Sequence, residues 1–231
     1  MLETIQKHLG YTFKDSSLLQ ESLTHPSLKG KATEETIVVH YERLEFLGDA
    51  VLGLVIAENL IRRYPDENEG GLAKRHSALV CGATLARIAQ GLDVGNFIVM
   101  THGERISGGE SNKANLEDAL EAIIGAIYLD GGLEPAKTFI EFHWQPLMDV
   151  MIAPPRDPKT ALQEWAQKRG KPIPQYVMIH QEGPAHAPDF TVEVRVEGMK
   201  SVRANGSSKR LAERDAAAAL LGMIEHVDTQ H

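Results

Sequence analysis

The sequence predicts two domains: an all-α domain over residues 1–150 and a small α+β domain, ordered α-β-β-β-α, over residues 158–228. Three observations lead there. Before residue 151 the apolar residues recur three and four apart, the period of a helix with one buried face. After residue 157 the period shortens to strict alternation, the mark of half-buried strands. Between the two lies "MIAPPRDPKT" (Met151 to Thr160), which holds three prolines within five residues. Proline removes backbone donors and disfavours helix, so residues 151–157 are expected to form an extended, exposed linker.

Taken in order, the helical pattern covers Ser16 to Leu23, Leu44 to Ile61, Leu72 to Gly91 as one run, Asn115 to Leu129, and Pro135 to Met151, with Gly or Pro between them. The second domain opens with a helix from Pro158 to Arg169. Alternation follows in "QYVMIHQ", "FTVEVRVEG" and "KSVRANG", and the alanine-rich "SSKRLAERDAAAALLGMIEHV" closes it as a helix. No repeat of 20 to 50 residues is visible, which argues against a solenoid.

Composition narrows the class. With 231 residues and 42% hydrophobic side chains, the chain reads as a folded soluble protein. Its longest apolar runs fall short of a membrane span, and "MLETIQKHLG" lacks the apolar centre of a signal peptide. A cytoplasmic location and no membrane partner are expected. The single cysteine, Cys81, excludes an internal disulfide and a paired-thiol zinc site, and is expected to be a small buried residue. A net charge of −8 argues by itself against nucleic acid, but the charge is uneven. Residues 1–156 carry 14 basic and 22 acidic side chains, whereas 157–231 carry 10 of each and four histidines.

The stretch "YERLEFLGDAVL" (Tyr41 to Leu52) places acids along the rim of a helix that has a core to bury. With Leu44 at 0° and a step of about 100° per residue, Leu47, Gly48, Val51, Leu52 and Val55 fall within roughly 80° of it. Glu45 lies near ~100°, and Asp49 and Glu42 follow near ~140° and ~160°, along one edge of that stripe. Glu45 and Asp49, four apart, repel by a few tenths of a kcal/mol unless a cation lies between them. In "NLEDALEAIIGAIYLDGG" (Asn115 to Gly132), Asp118 and Glu121 stand three apart, off the stripe of Leu116, Leu120, Ile123, Ile124 and Ile127. Gly125 shares their face, where a glycine is unfavourable by about 1 kcal/mol relative to alanine, so a close neighbour is expected there. The helix of Gly48 would be that neighbour. Two acidic pairs brought together offer up to four oxygen ligands and neither His nor Cys, which suits Mg²⁺ with Mn²⁺ as a substitute. The chemistry implied is phosphoryl transfer. A di-iron bundle would need Glu-x-x-His, which neither helix has.

"ERLEFLGDAVL" (Glu42 to Leu52) closely resembles the signature of the ribonuclease III family. "LTHPS" (Leu23 to Ser27), "EGGLAKRHSALV" (Glu69 to Val80) and "LEDALEAIIGAIYLDGG" (Leu116 to Gly132) resemble further blocks of that family, in the same order. The resemblance implies that Glu45, Asp49, Asp118 and Glu121 hold the catalytic Mg²⁺ and its water, with Glu42 and Glu69 as supporting acids near the cleavage centre. It also implies a homodimer, with Phe46 inserted into a socket on the partner subunit. Three positions depart from the pattern: Tyr41 where Asn is usual, Pro26 for a common Arg, and Ala73 for a common Ser or Thr.

The α-β-β-β-α segment is similar to a double-stranded RNA-binding domain. "KTALQEW" resembles its first helix, whose Thr160, Gln163 and Glu164 would face a minor groove. "GPAHAPDF" resembles the loop that carries His186 into the next minor groove, though it lacks the lysines common after the histidine. "GSSKRLAE" resembles the start of the last helix, where Ser208, Lys209 and Arg210 would meet phosphate at the positive end of the helix dipole. The whole resemblance implies an endoribonuclease acting on double-stranded RNA, leaving 5′-phosphates and short 3′ overhangs in the maturation of ribosomal and other structured transcripts. Two other readings remain. A double-stranded RNA-binding protein without cleavage would need one of the four acids replaced, and a small-ester hydrolase would have no use for residues 157–231.

Overall fold

The structure, a computed structural model, describes residues 2–31, 39–151, 154, 157–182 and 188–228, without the side chains of 30–31 and 225–228. The chain divides into two compact units, Met1–Pro155 and Arg156–His231. The first is helical: α1 (Leu2–Leu9), α2 (Ser16–Ser22), α3 (Glu42–Arg63), α4 (Glu69–Leu79), α5 (Gly82–Gly91), α6 (His102–Ile106), α7 (Lys113–Gly131) and α8 (Leu133–Val150), with short 3₁₀ turns between some of them. The second follows the expected order, α9 (Pro158–Lys168), β1 (Gln175–Glu182), β2 (Asp189–Arg195), β3 (Val202–Gly206) and α10 (Lys209–Asp228).

The first unit is organised around α7. Asn112 caps its start by accepting the Ala114 N–H at 2.9 Å. At its end Gly132 adopts φ +85°, a left-handed conformation that lets the chain turn directly into α8. From Ala119 to Ile127 every residue of α7 is buried, the profile of a helix enclosed on all sides. It packs against α2, α3, α5 and α8.

The α3 stripe behaves as its periodicity predicts: Leu44, Val51, Leu52, Val55, Ile56 and Leu60 are in the core. Helix α3 ends at Arg63, two residues before Pro65, because a residue preceding proline is pushed out of helical geometry. The glycines expected at a close crossing are there. A Cβ on Gly48 would lie 1.7 Å from the carbonyl oxygen of Glu121, and one on Gly125 would lie 2.2 Å from that of Leu44. Both are backbone contacts, so no side-chain movement relieves them.

The run Leu72 to Gly91 is not one helix. Helix α4 begins earlier, at Glu69, under an Asn68 cap that accepts the Gly71 N–H at 2.9 Å. It stops at Leu79, and α5 starts afresh at Gly82. Thr84 Oγ1 donates to the Ala78 carbonyl at 2.8 Å and Thr84 N–H to the Cys81 carbonyl at 2.8 Å, bonds that hold the break open. Apolar spacing continued across this break, so periodicity missed it. Cys81 lies at the break and is exposed, not buried as expected. Helix α1, which the periodicity reading left unassigned, contributes Ile5 and Leu9 to the core. Trp144 on α8 donates its Nε1–H to the Leu79 carbonyl at 2.9 Å, so a buried indole ties α8 to the end of α4. No helix among the described residues is long and apolar enough to cross a membrane.

In the second unit three antiparallel strands lie in the order β1-β2-β3. Val192 and Val194 of β2 and Val196 just after it are buried, and Val194 and Val196 pack with Leu162 and Ala166 of α9 and Ala216, Ala217, Leu220 and Ile224 of α10. On the opposite face Glu193 is buried between Arg195 and Arg203, each with Nε 2.6 Å from one of its carboxylate oxygens. Of the linker, residues 152–153 and 155–156 lie outside the described residues.

Two glycine substitutions separate packing from propensity. Gly48→Ala should destabilise the first unit by about 3 kcal/mol, read as a lowered urea midpoint, because it overpacks backbone against backbone. Gly222→Ala on α10, where a Cβ meets nothing within 4 Å, should instead stabilise the second unit by about 0.5–1 kcal/mol. Equal midpoints for Gly48→Ala and wild type would contradict the close crossing.

Candidate active site

The α3–α7 crossing sets two acidic rows beside each other. Helix α3 carries Glu45 and Asp49, and α7 carries Asp118 and Glu121. Because Gly48 rests on the backbone of Glu121, and Gly125 on that of Leu44, the helices approach too closely for a layer of apolar side chains to separate the rows. Asp49 is exposed, Glu45 and Asp118 are partly buried, and Glu121 is only 8% exposed. Among the described residues, Glu45, Asp49 and Glu121 have no hydrogen bond or ion pair with another side chain. Asp118 accepts a long hydrogen bond, 3.5 Å, from the hydroxyl of buried Tyr41.

A polar network supports the start of α7. His25 Nδ1 accepts the Ser27 N–H at 3.0 Å, which leaves Nε2 as the protonated nitrogen facing Asn115 Oδ1 at 3.3 Å. Asn115 Nδ2 donates to Glu104 at 3.1 Å and to the Gly109 carbonyl at 3.0 Å. The His25 ring stands edge-on to Tyr41, with centroids 5.7 Å apart. The "LTHPS" block thus reaches the acidic group through Tyr41.

Electrostatics record the uncompensated charge. Burial, followed by the charges of Asp49, Glu117, Glu45 and Asp118, raises the Glu121 carboxyl from 4.5 to about 8. Burial and the charges of Asp118 and Glu42 raise Glu45. Asp118 is raised by burial, against the lowering effects of the Tyr41 hydroxyl and His25. Glu117 also belongs here, raised by burial and by Asp118. The sequence reading paired Asp118 with Glu121 and passed over Glu117, although Glu117 and Glu121 are four apart and share a helix face.

The donor set is hard carboxylate oxygen, which fits Mg²⁺ or Mn²⁺ and fits neither zinc nor copper. Among the described residues no three acidic, histidine or cysteine side chains converge on one point.

In the second unit, Asp157 caps α9 by accepting the Thr160 N–H at 3.0 Å, and the Thr160 hydroxyl shares the same oxygen at 3.2 Å. Ser208 Oγ caps α10 by accepting the Leu211 N–H at 3.2 Å. Thr160, Gln163, Ser208 and Arg210 line one open groove of about 800 Å³, which Lys159 and Arg214 also border. Lys209 is exposed in the first turn of α10. Glu164 faces a neighbouring hollow with Trp165 and Lys168, outside that groove. His186 lies outside the described residues.

Residues 15–146 match the family model described as Ribonuclease-III-like, and residues 158–222 match that of the double-stranded RNA binding motif. The chain is 49% identical over 223 residues to Ribonuclease 3 of Wolbachia pipientis subsp. Culex pipiens (strain wPip), covering 96% of each. The chain belongs to the ribonuclease III family. Ribonuclease 3 of Ehrlichia ruminantium (strain Welgevonden) is 52% identical over 222 residues, again with 96% of each chain covered. The solved nuclease domain of ribonuclease III from Campylobacter jejuni, described for flexibility in a region involved in dimer formation, superposes with a TM-score of 0.56 at 43% identity, covering 63% of this chain and 99% of that one.

Both parts of a double-stranded RNA-specific endoribonuclease are therefore present in this ribonuclease III. Glu42 and Glu69 occupy different surroundings. Glu42 is exposed and pairs with Lys29 Nζ at 2.6 Å, which lowers its pKa. Glu69 starts α4 beside an apolar hollow with Ile61, Leu72 and His76. Phe46 projects from α3 at 81% exposure.

The buried Glu121 carboxyl has a pH signature. Its pKa is raised in the folded chain, so the native state binds the extra proton, and metal-free stability should fall as pH rises from about 4.5 to about 8. Glu121→Gln removes that dependence. In chelator, the variant should match wild type at pH 4 and exceed it at pH 9 by on the order of a few kcal/mol in denaturant titrations. Parallel pH profiles would mean that Glu121 is not the uncompensated charge.

Proposed function

We propose that this ribonuclease III is a homodimeric, Mg²⁺-dependent enzyme, with Mn²⁺ as a substitute, that hydrolyses phosphodiesters in double-stranded RNA to leave 5′-phosphates and short 3′ overhangs. Its substrates on this reading are ribosomal precursors and other structured transcripts in the cytoplasm. The observation that carries it is the uncompensated acidic group at the α3–α7 crossing, with Glu121 buried and lacking a cation among the described residues.

Glu45, Asp49, Asp118 and Glu121 would hold the metal, which supplies a lowered pKa for an attacking water and neutralises charge on the leaving oxygen. The chain's own contribution is placement. The glycine crossing fixes the two acidic rows, and Tyr41 donates its hydroxyl to Asp118. Glu42 and Glu69 are assigned supporting roles.

The second unit would bring the duplex. Thr160, Gln163 and Glu164 are assigned to one minor groove and His186 to the next, while Ser208, Lys209 and Arg210 meet phosphate at the start of α10. Thr160 donates its hydroxyl to the capping Asp157 and would meet RNA by accepting, whereas Ser208, whose Oγ accepts the Leu211 N–H, keeps its O–H to donate to phosphate. A negative net charge does not oppose this, since metal and a tethered reader supply the attraction.

For the dimer, exposed Phe46 and an apolar hollow of about 580 Å³ lined by Leu60, Ile61, Leu72 and Val80 are two complementary features of one subunit. A two-fold axis would exchange them between copies. Phe46→Ala should sediment as monomer at concentrations where wild type is dimeric, and an unchanged sedimentation coefficient would remove Phe46 from the contact.

The deciding experiment incubates the protein with a long end-labelled duplex and a single-stranded control, with Mg²⁺ or with chelator. Short duplex products are expected only with metal. Glu121→Gln should retain duplex binding on a native gel and lose cleavage by at least about a hundredfold. Binding by wild type without any metal-dependent cleavage would favour the alternative of a duplex-binding protein. Lys209→Ala with Arg210→Ala should weaken binding to all duplex sequences alike and lower the salt slope by about 1 to 2, and an unaltered slope would refute the phosphate role.

A further inference from the structure

We propose that the hollow between the end of α1 and α8 is a ligand site built for a flat nitrogen heterocycle that carries a negative charge, the chemistry of a nucleoside monophosphate. It shares no residue with the acidic group at the α3–α7 crossing and goes beyond the reaction assigned there.

The chain builds the hollow from one turn and one helix. Gly10 ends α1 at φ +66°, and the Tyr11 N–H closes the turn on the Gln6 carbonyl at 3.2 Å. Lys7, His8 and Tyr11 line one side of the hollow, and Phe139, Phe142 and His143 of α8 line the other. Its volume of about 500 Å³ falls within the range that houses a small organic ligand. The His143 ring stands between two phenyl rings, with centroids 4.7 Å from Phe139 and 5.0 Å from Phe142. Phe139 is buried, whereas Phe142 is 75% exposed. An aromatic ring left in water beside an apolar hollow is a surface on which another flat ring can stack.

Polar groups decide the class of guest. His8 Nδ1 lies 3.1 Å from the Leu92 carbonyl, which can only accept, so Nδ1 carries the proton and Nε2 is left as an acceptor. The His143 ring makes no hydrogen bond with any described residue. Burial lowers its pKa, so it stands neutral with one nitrogen to donate and one to accept. The Tyr11 hydroxyl is already committed to Asp130 at 2.6 Å, which leaves the polar contacts to the two imidazoles. A nitrogen heterocycle, with donors and acceptors of its own, satisfies them, whereas a plain hydrocarbon leaves them unpaired. Charge narrows the class further. No acidic side chain lines the hollow, and Lys7 has no carboxylate partner among the described residues, so an anion is favoured over a cation. Because Lys7 is exposed, the negative group belongs at the mouth and the ring inside.

The test titrates adenosine 5′-monophosphate, adenosine and ribose 5-phosphate into the full-length protein by calorimetry, in chelator and without RNA, so that its outcome is independent of cleavage. Wild type should bind the monophosphate saturably, adenosine more weakly and ribose 5-phosphate not at all. Phe142→Ala, at an exposed position that leaves the fold intact, should weaken the monophosphate by about tenfold and leave duplex cleavage within about twofold of wild type. Lys7→Ala should weaken the monophosphate by about threefold and leave adenosine unchanged. A 5′-phosphorylated adenine dinucleotide that binds more tightly than the monophosphate, and depends on Phe142, would identify the guest as the end of an RNA strand; weaker binding would identify it as the free nucleotide. Absence of saturable binding to wild type at millimolar monophosphate would overturn the site. Equal affinity in wild type and Phe142→Ala would place any binding elsewhere, and would overturn it too.

Discussion

Everything at the candidate site depends on two backbones touching. Gly48 on α3 and Gly125 on α7 each meet a carbonyl of the opposite helix, at a separation no side chain would allow. Ordinary helix pairs keep 8–10 Å between axes because side chains interdigitate, and a pair of glycines removes that spacer. The apolar stripes on either side, Leu44, Val51 and Leu52 on α3 and Leu120, Ile123 and Ile124 on α7, supply the burial that holds the crossing shut. The acids are what the rim of such a joint presents. With the backbones locked, the reach of each carboxylate is set by its side-chain length, so the choice of Asp or Glu at each position becomes a dimension of the site.

That joint also explains why like charges accumulate without unfolding the domain. Repulsion among five carboxylates is tolerated because Glu121 can hold a proton near neutrality while Asp49 stays in water. The strain is electrostatic and local, whereas the core beneath is continuous and apolar. Opposing the two in one helix pair gives a site that is rigid in backbone and adaptable in rotamer.

Much of this was legible in the sequence. The α3 stripe, the acids on its edge and the meaning of Gly125 all follow from a period of 3.6 residues, since each is a statement about one face of one helix. Glu117 was missed because attention to a pair three apart hid a pair four apart on the same face. The break between α4 and α5 was invisible because Leu79 and Leu85 continue the apolar rhythm while a threonine side chain, not a proline, ends the helix. The exposure of Cys81 follows from that same break. Glu42 and Glu69 illustrate a different limit: spacing along a chain does not reveal that Lys29 lies across from one, or that the other borders an apolar hollow.

The clamp on the open face of the sheet has a consequence of its own. Glu193 sits buried beneath Arg195 and Arg203 and engages both guanidiniums. Without it, that face would present two guanidiniums with no carboxylate between them. One carboxylate thus cancels part of the positive charge that two arginines bring to this face. The two faces of the sheet therefore differ in kind: one is packed on helices, and the other carries its own counterion.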